Sequence, residues 1–240
     1  MWSICKKELN QFFSNLTGYI AIILFLLINA VFLFVLTESS IFEFGYASLD
    51  KFFELAPWVF MFLVPAITMR SLADEFKTGT FEILKTKPLS SWQIVWGKYF
   101  SILIVLLLAI VPTIIYIITI KGLSAQGGID SGGILGSYIG LFLLAAVFAA
   151  IGLCCSGFTN NAVVAFLISA FGCLILYFGF NALSKLPFFE NGFDYYIEMI
   201  GIDFHYRSIS RGVLDSRDLV YFLSVIFIFL LTTVKNLYKK

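Results

Sequence analysis

Residues that could carry out a reaction are few in this sequence, and their spacing matches no common active site. The Gly97-Lys98 pair is followed by Tyr99 and has Trp92 where a phosphate-binding loop needs its first glycine. His205 is the single histidine, so no HExxH zinc motif is available, and no GxSxG motif occurs. The four cysteines show neither disulfide nor metal-ligand spacing. The sequence therefore predicts no catalytic residues, no metal site and no cofactor of its own, and an ATP-driven role would require a second chain that binds ATP and Mg²⁺.

The most informative polar stretch is residues 70–98, which interrupts otherwise nearly continuous apolar sequence. It contains five of the sixteen Lys and Arg residues together with three acids. The helix signals in it are, in chain order, a capping box at Ser71 and Asp74, a stop at Gly79, a start at Thr80, a limit at Pro88 and a second capping box at Ser90 and Gln93. The stretch therefore predicts two short helices followed by the start of a longer one.

Four apolar side chains within this stretch lie among charged ones, and they bear on what the stretch binds. They are Phe76, Phe81, Ile83 and Leu84. Aromatic anchors with charged rims suit docking to a cleft in a partner protein, because buried aromatics supply contact area and rim charges supply orientation. The same pattern also fits an amphipathic segment that rests on lipid headgroups. Spacing alone leaves both interpretations open.

The composition places the chain in a membrane. Hydrophobic residues make up 60% of the sequence, charged residues only 13%, and the mean hydropathy is +0.95. Soluble proteins average about 25% charged residues. Because a helix needs about 20 apolar residues to cross a bilayer, we predict six transmembrane helices. Their ranges are 19–36, 55–69, 99–120, 134–155, 162–183 and 219–237.

The charges between the spans predict the orientation of the chain. If both termini are cytoplasmic, ten Lys and Arg residues lie inside against four acids, which leaves six basic residues and eleven acids outside. An excess of Lys and Arg on the cytoplasmic side is the usual topology. We therefore expect both termini in the cytoplasm. The net charge of +1 gives no indication of a nucleic-acid partner.

Two segments outside the spans have patterns of their own. Residues 1–17 place apolar and polar side chains on opposite helix faces, which predicts an amphipathic helix in the membrane interface. Residues 184–218 mix aromatic, aliphatic and charged side chains and predict short helices on the external surface. Arg207 and Arg211, four residues apart, would share a helix face there. They form either an external gate that contacts an anionic group or a solvated pair facing lipid headgroups.

Two local motifs bear on how the spans bend and pack. Pro112 removes a backbone donor and predicts a kink, where Thr113 could satisfy a freed carbonyl group. Gly136 and Gly140 form a GxxxG pair, which favours close approach of another helix. That helix belongs either to the same subunit or to a second one.

The order of residues in the 70–98 stretch resembles that of a known family. The pattern R-x-L-A-x-E-x3-G-T-x-E-x-L-x3-P-x-S-x2-Q-I-V-x-G-K is similar to the coupling segment of ABC-2 type transporter permeases. The resemblance extends over essentially the whole chain. The stretches LAPWVFMFLVPAITMRSLADE, KTKPLSSWQIVWGK and RGVLDSRDLVYF look closest to the members of that family associated with bacterial gliding motility.

This resemblance implies an all-α integral membrane protein with the six-span, type V exporter-like architecture of ABC-2 permeases. Residues 70–98 would contain the coupling helix that docks on an ABC ATPase subunit, and residues 184–218 would contain short re-entrant helices. The implied partners are two ATPase copies, a second permease subunit in a homodimer or heterodimer, and the lipid bilayer of a bacterial cytoplasmic membrane. The residues expected to couple to the ATPase are Arg70, Glu75, Phe76, Gly79, Thr80, Phe81 and Glu82.

Other functions remain open beside a motility-associated permease. One alternative is an ABC-2 permease for a different cargo. Another is a membrane anchor that recruits an ATPase or motility proteins without transporting anything. An intramembrane enzyme has the least support, because the sequence offers no catalytic constellation.

Overall fold

The computed structural model describes residues 1–36, 48–123, 130–186, 193–213 and 215–239. The loop between the first two predicted spans, residues 37–47, and residues 187–192 and 214 of the predicted external segment lie outside the described residues. All regular structure within the described ranges is helical. This confirms the predicted all-α fold.

The described residues form thirteen α-helices. They are α1 (Trp2–Ser14), α2 (Leu16–Phe34), α3 (Asp50–Thr68), α4 (Ala73–Thr78), α5 (Thr80–Lys85), α6 (Ser91–Ile110), α7 (Ile114–Leu123), α8 (Ser131–Phe158), α9 (Ala162–Leu174), α10 (Phe180–Ser184), α11 (Asp194–Glu198), α12 (Ile202–Ile209) and α13 (Ser216–Lys239). A 3₁₀ turn at Val111–Thr113 joins α6 to α7, and a π-helical turn at Ile175–Gly179 joins α9 to α10.

Five described helical segments are long and apolar enough to cross a membrane. A sixth span results if α1 and α2, which meet at a bend of 71°, are counted as one broken span. The helix that corresponds to the first predicted span is α2, which is 19 residues long. Five to six crossings agree with the predicted multi-pass membrane protein.

Helix α8 forms the centre of the bundle. Its middle is rich in alanine and is buried, and it packs against α3, α6, α9, α12 and α13. Small side chains let neighbouring helices approach closely within a membrane. At Gly152, for example, a Cβ atom would clash with the hydroxyl group of Thr68 in α3. The small residues of α8 therefore allow the other helices to be arranged around it.

The third predicted span changes its helix type where the sequence contains Pro112. The α-helix is interrupted there by the 3₁₀ turn, since proline lacks the N–H group that an α-helical turn uses. The Thr113 hydroxyl donates to the Ile110 carbonyl at 2.6 Å. The break in the α-helix is confirmed. The carbonyl that proline leaves without its α-helical donor is that of Leu108, four residues earlier, so the Thr113 bond does not replace the missing N–H.

The GxxxG pair packs against α12 of the same subunit. A Cβ atom at Gly136 would lie 3.0 Å from the Gly212 carbonyl oxygen, and one at Gly140 would clash with Ile209. Ser137, between the two glycines, donates a hydrogen bond of 2.8 Å to the carbonyl oxygen of Ser210. The motif therefore serves packing within one subunit.

The structure corrects the expectation that Arg207 and Arg211 share a helix face. Helix α12 ends two residues before Arg211, and the chain then turns through Gly212 at a φ of +82°. Glycine adopts this left-handed conformation readily, which lets the backbone turn against α8. Arg207 pairs with Asp203 and lies 3.6 Å from Glu198. A gate role for the two arginines stays a prediction.

Candidate coupling site

Helices α4 and α5 form a hairpin, residues 73–85, that turns at Gly79. This glycine has a φ of +71° and a ψ of 3°, the left-handed conformation that commonly ends a helix. A Cβ atom at Gly79 would meet no atom within 4 Å, so the backbone conformation rather than crowding favours glycine here. The next helix begins at Thr80. The predicted stop and start signals are both confirmed.

The two phenylalanines of the hairpin contact each other. The ring centroids of Phe76 and Phe81 lie 5.0 Å apart in an edge-to-face arrangement, and Phe81 is only 5% exposed. Phe76 packs against the hydrophobic core. The aromatic residues therefore hold the hairpin together and fix it to the protein. Because Phe81 is nearly buried, little of its side chain is accessible to a partner protein.

The surface that the hairpin offers to a partner lies around its turn. We call it the exposed hairpin face, and its members are Gly79, Thr80, Glu82 and Ile83. Ile83 is the most hydrophobic of these, and 63% of it is exposed. Lys85 and Lys87 extend this face with two further exposed charges. The surface therefore combines one apolar contact with charges of both signs.

The base of the hairpin is attached to α8 by a buried serine. The hydroxyl oxygen of Ser156 accepts hydrogen bonds from the backbone N–H groups of Leu72 and Ala73, both at 3.0 Å. The same hydroxyl donates to the Met69 carbonyl at 3.1 Å. Ser156 is fully buried. It thus joins the end of α3 and the start of α4 to the central helix of the bundle.

This arrangement corrects the predicted capping box at Ser71 and Asp74. Helix α4 has no side-chain cap from its own segment, and the Ser71 hydroxyl is buried without a hydrogen-bond partner among the described residues. The N–H groups at a helix start need acceptors. Ser156 supplies one from a distant part of the sequence, so the local cap is not used. The second predicted box, at Ser90 and Gln93, forms both of its bonds.

A group of charges around the buried Lys98 attaches the hairpin to α6 and α1. We call it the ion cluster, and its members are Lys7, Glu8, Glu75 and Lys98. The ammonium nitrogen of Lys98 lies 2.9 Å from carboxylate oxygens of both Glu8 and Glu75. Lys7 lies 2.9 Å from Glu75 and 3.5 Å from Glu8. Two positive and two negative groups therefore balance one another.

The hydrogen bonds of Lys98 explain how its charge can be buried. Its side chain is 1% exposed, and an unpaired ammonium in such a place would be costly. Besides the two carboxylates, Lys98 donates to the Ser71 carbonyl at 2.7 Å. An ammonium group has three donors. All three find acceptors, one each on α1, on α4 and at the end of the segment that follows α3.

Glu75 is held in its ionised form by the ion cluster. Burial by itself raises the pKa of a carboxyl group, because it disfavours the charged form. The positive charges of Lys98 and Lys7 outweigh burial and hold the pKa of Glu75 below its ordinary value. Its second carboxylate oxygen is buried and has no hydrogen-bond partner among the described residues. Glu75 thus faces the interior of the chain and not the exposed hairpin face.

Close packing between α1 and α6 brings the ion cluster together. A Cβ atom at Gly97 would lie 2.9 Å from the Cβ of Ile4, so the two helices meet where only glycine fits without adjustment. Ile4 and Cys5 are buried in this contact. Because α1 lies against α6 in this way, Lys7 and Glu8 reach the start of α4.

The seven residues predicted to couple to an ATPase divide into three groups. Gly79, Thr80 and Glu82 lie on the exposed hairpin face, whereas Glu75, Phe76 and Phe81 attach the hairpin to the rest of the chain. Arg70 lies beyond the end of α3, where it lines a cavity between helices. Sequence reasoning missed the parts played by Ser156, Lys7, Glu8 and Lys98. The one local signal of the ion cluster in the sequence is Lys98, which directly precedes an apolar run.

The fold and this site define a multi-pass helical membrane protein with a polar hairpin fixed to its central helices. A family model of the ABC-2 family transporter proteins matches residues 45–200, more than half of the chain. The chain therefore belongs to the ABC-2 transporter family. Members are membrane components of ABC transporters without catalytic activity of their own, and ATP hydrolysis resides in a separate subunit. A comparison with curated proteins found no match.

Proposed function

We propose that the ATPase subunit of this ABC transporter docks on the exposed hairpin face. The observation that carries the proposal is the attachment of the hairpin at its base. Ser156 joins it to α8, and the Glu75–Lys98 pair joins it to α6. A partner that displaces the hairpin would therefore displace two spans with it. This is the mechanical connection that an ATP-driven permease requires.

The complete assembly would contain two ATPase copies, which bind ATP and Mg²⁺, and a second permease subunit. Closure of the ATPase pair around ATP would pull on the hairpins and bias the spans between inward-open and outward-open states. The distribution of Lys and Arg supports an orientation in which the hairpin and both termini are cytoplasmic. We place the protein in the cytoplasmic membrane of a bacterium.

The role that we propose for this transporter is in gliding motility. Support comes from the resemblance of residues 55–75, 85–98 and 211–222 to gliding-motility-associated permease subunits. The test is deletion of the gene in its host, followed by complementation. Loss of gliding that the wild-type gene restores would support the role, and unimpaired gliding of the deletion strain would refute it.

The composition of the assembly is tested by isolating the protein with its partners. The chain carries a C-terminal tag, is extracted in mild detergent, and its stoichiometric partners are identified by mass spectrometry. An ABC ATPase in near-equal amount supports the proposal, and a second membrane chain would identify the other half. Isolation without an ATPase would contradict it. If the rate of ATP hydrolysis in liposomes is the same with and without the permease, the result would instead favour a membrane anchor.

A further inference from the structure

A cavity of about 420 Å³ lies beside the coupling site, between α1, α2, α3 and α6. Its lining includes Glu8 and Ser71, which also bond to Lys98 in the attachment of the hairpin. Its lining changes character from one end to the other. Toward the bundle the walls include Leu24, Leu63, Ile67 and Val105. At the membrane surface they include Gln11, Asn15, Arg70 and Asp74.

The apolar part of the cavity is bordered by apolar side chains that the described chain leaves exposed. Ile20 and Leu24 of α2 line it and are 55% and 48% exposed. Ser101, Ile102 and Val105 of α6 form part of the wall, just inside the start of the third predicted span. A hydrocarbon chain could therefore enter from the side without leaving the membrane. A water-soluble ligand would leave this part of the cavity unfilled.

The polar end contains two charges that the protein itself does not pair. The side chains of Arg70 and Asp74 form no ion pair or hydrogen bond among the described residues, whereas Glu8, which also lines the cavity, is paired with Lys98. Arg70 and Asp74 are four residues apart, one positive and one negative. They are suited to a ligand that carries one charge of each sign.

We propose that this cavity binds a phospholipid with a phosphoethanolamine headgroup. The Arg70 guanidinium binds the phosphate, for which arginine has matching donor geometry, and the Asp74 carboxylate accepts hydrogen bonds from the primary ammonium. One acyl chain lies along the apolar wall. A choline headgroup has no N–H donor for Asp74, and a glycerol headgroup has no positive charge. The lipid is a resident ligand and not the transported substrate, so this inference stands apart from the proposed function.

A lipid in this position would connect the membrane to the coupling site. It would fill the space between the α1–α2 bend and the end of α3, and its headgroup would contact Asp74 in the first turn of α4. The angle between α1 and α2 would then depend on whether the lipid occupies the cavity. Membrane lipid composition would in this way influence the stability of the hairpin attachment.

The test counts the lipids retained by the purified chain. The protein is released from bilayers containing equal amounts of phosphatidylethanolamine, phosphatidylglycerol and phosphatidylcholine and is examined by native mass spectrometry. The wild type should retain one phosphatidylethanolamine per chain, with about tenfold preference over the other two lipids. Arg70→Gln should lower retention of all three about tenfold. Asp74→Asn should retain lipid but lose the preference.

The matched control is Arg217→Gln, which removes an exposed arginine outside the cavity and should behave as the wild type. Equal retention of the three lipids by the wild type would overturn the proposal. So would an Arg70→Gln variant that retains phosphatidylethanolamine as well as the control does.

A second measurement needs no variant, in case Arg70→Gln does not fold. The thermal unfolding midpoint of the wild type in detergent is measured with each lipid and with water-soluble phosphoethanolamine. Phosphatidylethanolamine should raise the midpoint more than the other lipids, and the soluble headgroup should leave it unchanged. An equal rise with every lipid, or with the soluble headgroup, would contradict the proposal.

Discussion

Glu75 in α4 lies 2.9 Å from the buried ammonium group of Lys98, so the first turn of the hairpin is ionically attached to α6, the helix that continues into the third predicted span. The same ammonium group also lies 2.9 Å from a carboxylate oxygen of Glu8 in α1. A single lysine therefore joins three helices that are distant in the sequence. The attachment of the hairpin to α1 and α6 depends on this lysine.

Removing the charge of Lys98 should destabilise the protein strongly. Lys98→Met leaves Glu8 and Glu75 buried without their main partner, and such a loss costs about 3–5 kcal/mol. The free energy of unfolding in mixed micelles measures the effect. Adding Glu75→Gln to Lys98→Met should recover about 1–3 kcal/mol, because the double variant restores the charge balance. A double variant whose loss of stability equals the sum of the losses in Lys98→Met and Glu75→Gln would show that the pair is not coupled.

The contribution of Glu75 to stability should disappear in acid. Its pKa in the folded state is below the ordinary value of 4.5, so the ionised form stabilises the fold above that pH. The contribution is lost as the pH falls through the lowered folded-state pKa. The difference in unfolding free energy between the wild type and Glu75→Gln should therefore be constant near neutral pH and shrink below about pH 4.5. A difference that is independent of pH would contradict the assignment.

Ser156→Ala should weaken the attachment of the hairpin to α8. It leaves two buried N–H groups and one carbonyl of the α3–α4 junction without their partner, which costs about 1–3 kcal/mol. Binding of the ATPase should persist, because the exposed hairpin face is unchanged. The permease variant should change the rate of ATP hydrolysis less than the wild-type permease does. The control is Ser224→Ala, which removes an exposed hydroxyl that bonds only to its own helix. Wild-type stability of Ser156→Ala would refute this role.

The local signals of the hairpin were predictable from the sequence, and its attachments were not. Gly79 and the Ser90–Gln93 box act through residues within four positions, so their spacing is visible in the chain. The Ser71–Asp74 box failed because Ser156, 84 residues from Leu72, supplies the acceptor instead. The partners of Lys98 are also distant, Glu8 being 90 residues away. Such residue pairs depend on how the helices pack together, and neither a hydrophobic periodicity nor a sequence motif indicates them.

The contact between α8 and α12 should respond to side-chain size at Gly140. Gly140→Ala places a methyl group against Ile209, and overpacking of this kind costs about 1–3 kcal/mol. Adding Ile209→Ala should relieve the clash, so the double variant should lose less stability than the sum of the two single variants. Strictly additive losses would mean that the two positions are not in contact.

The most direct test of the docking proposal measures binding of the purified ATPase to permease variants in detergent. Glu82→Lys and Ile83→Arg change the exposed hairpin face without touching the ion cluster or Ser156. Each should weaken binding about tenfold or more and leave the unfolding free energy within about 0.5 kcal/mol of the wild type. The control is Glu54→Lys, an equal charge reversal on the exposed start of α3. Wild-type affinity of both hairpin variants would contradict the proposal that the ATPase docks on this face.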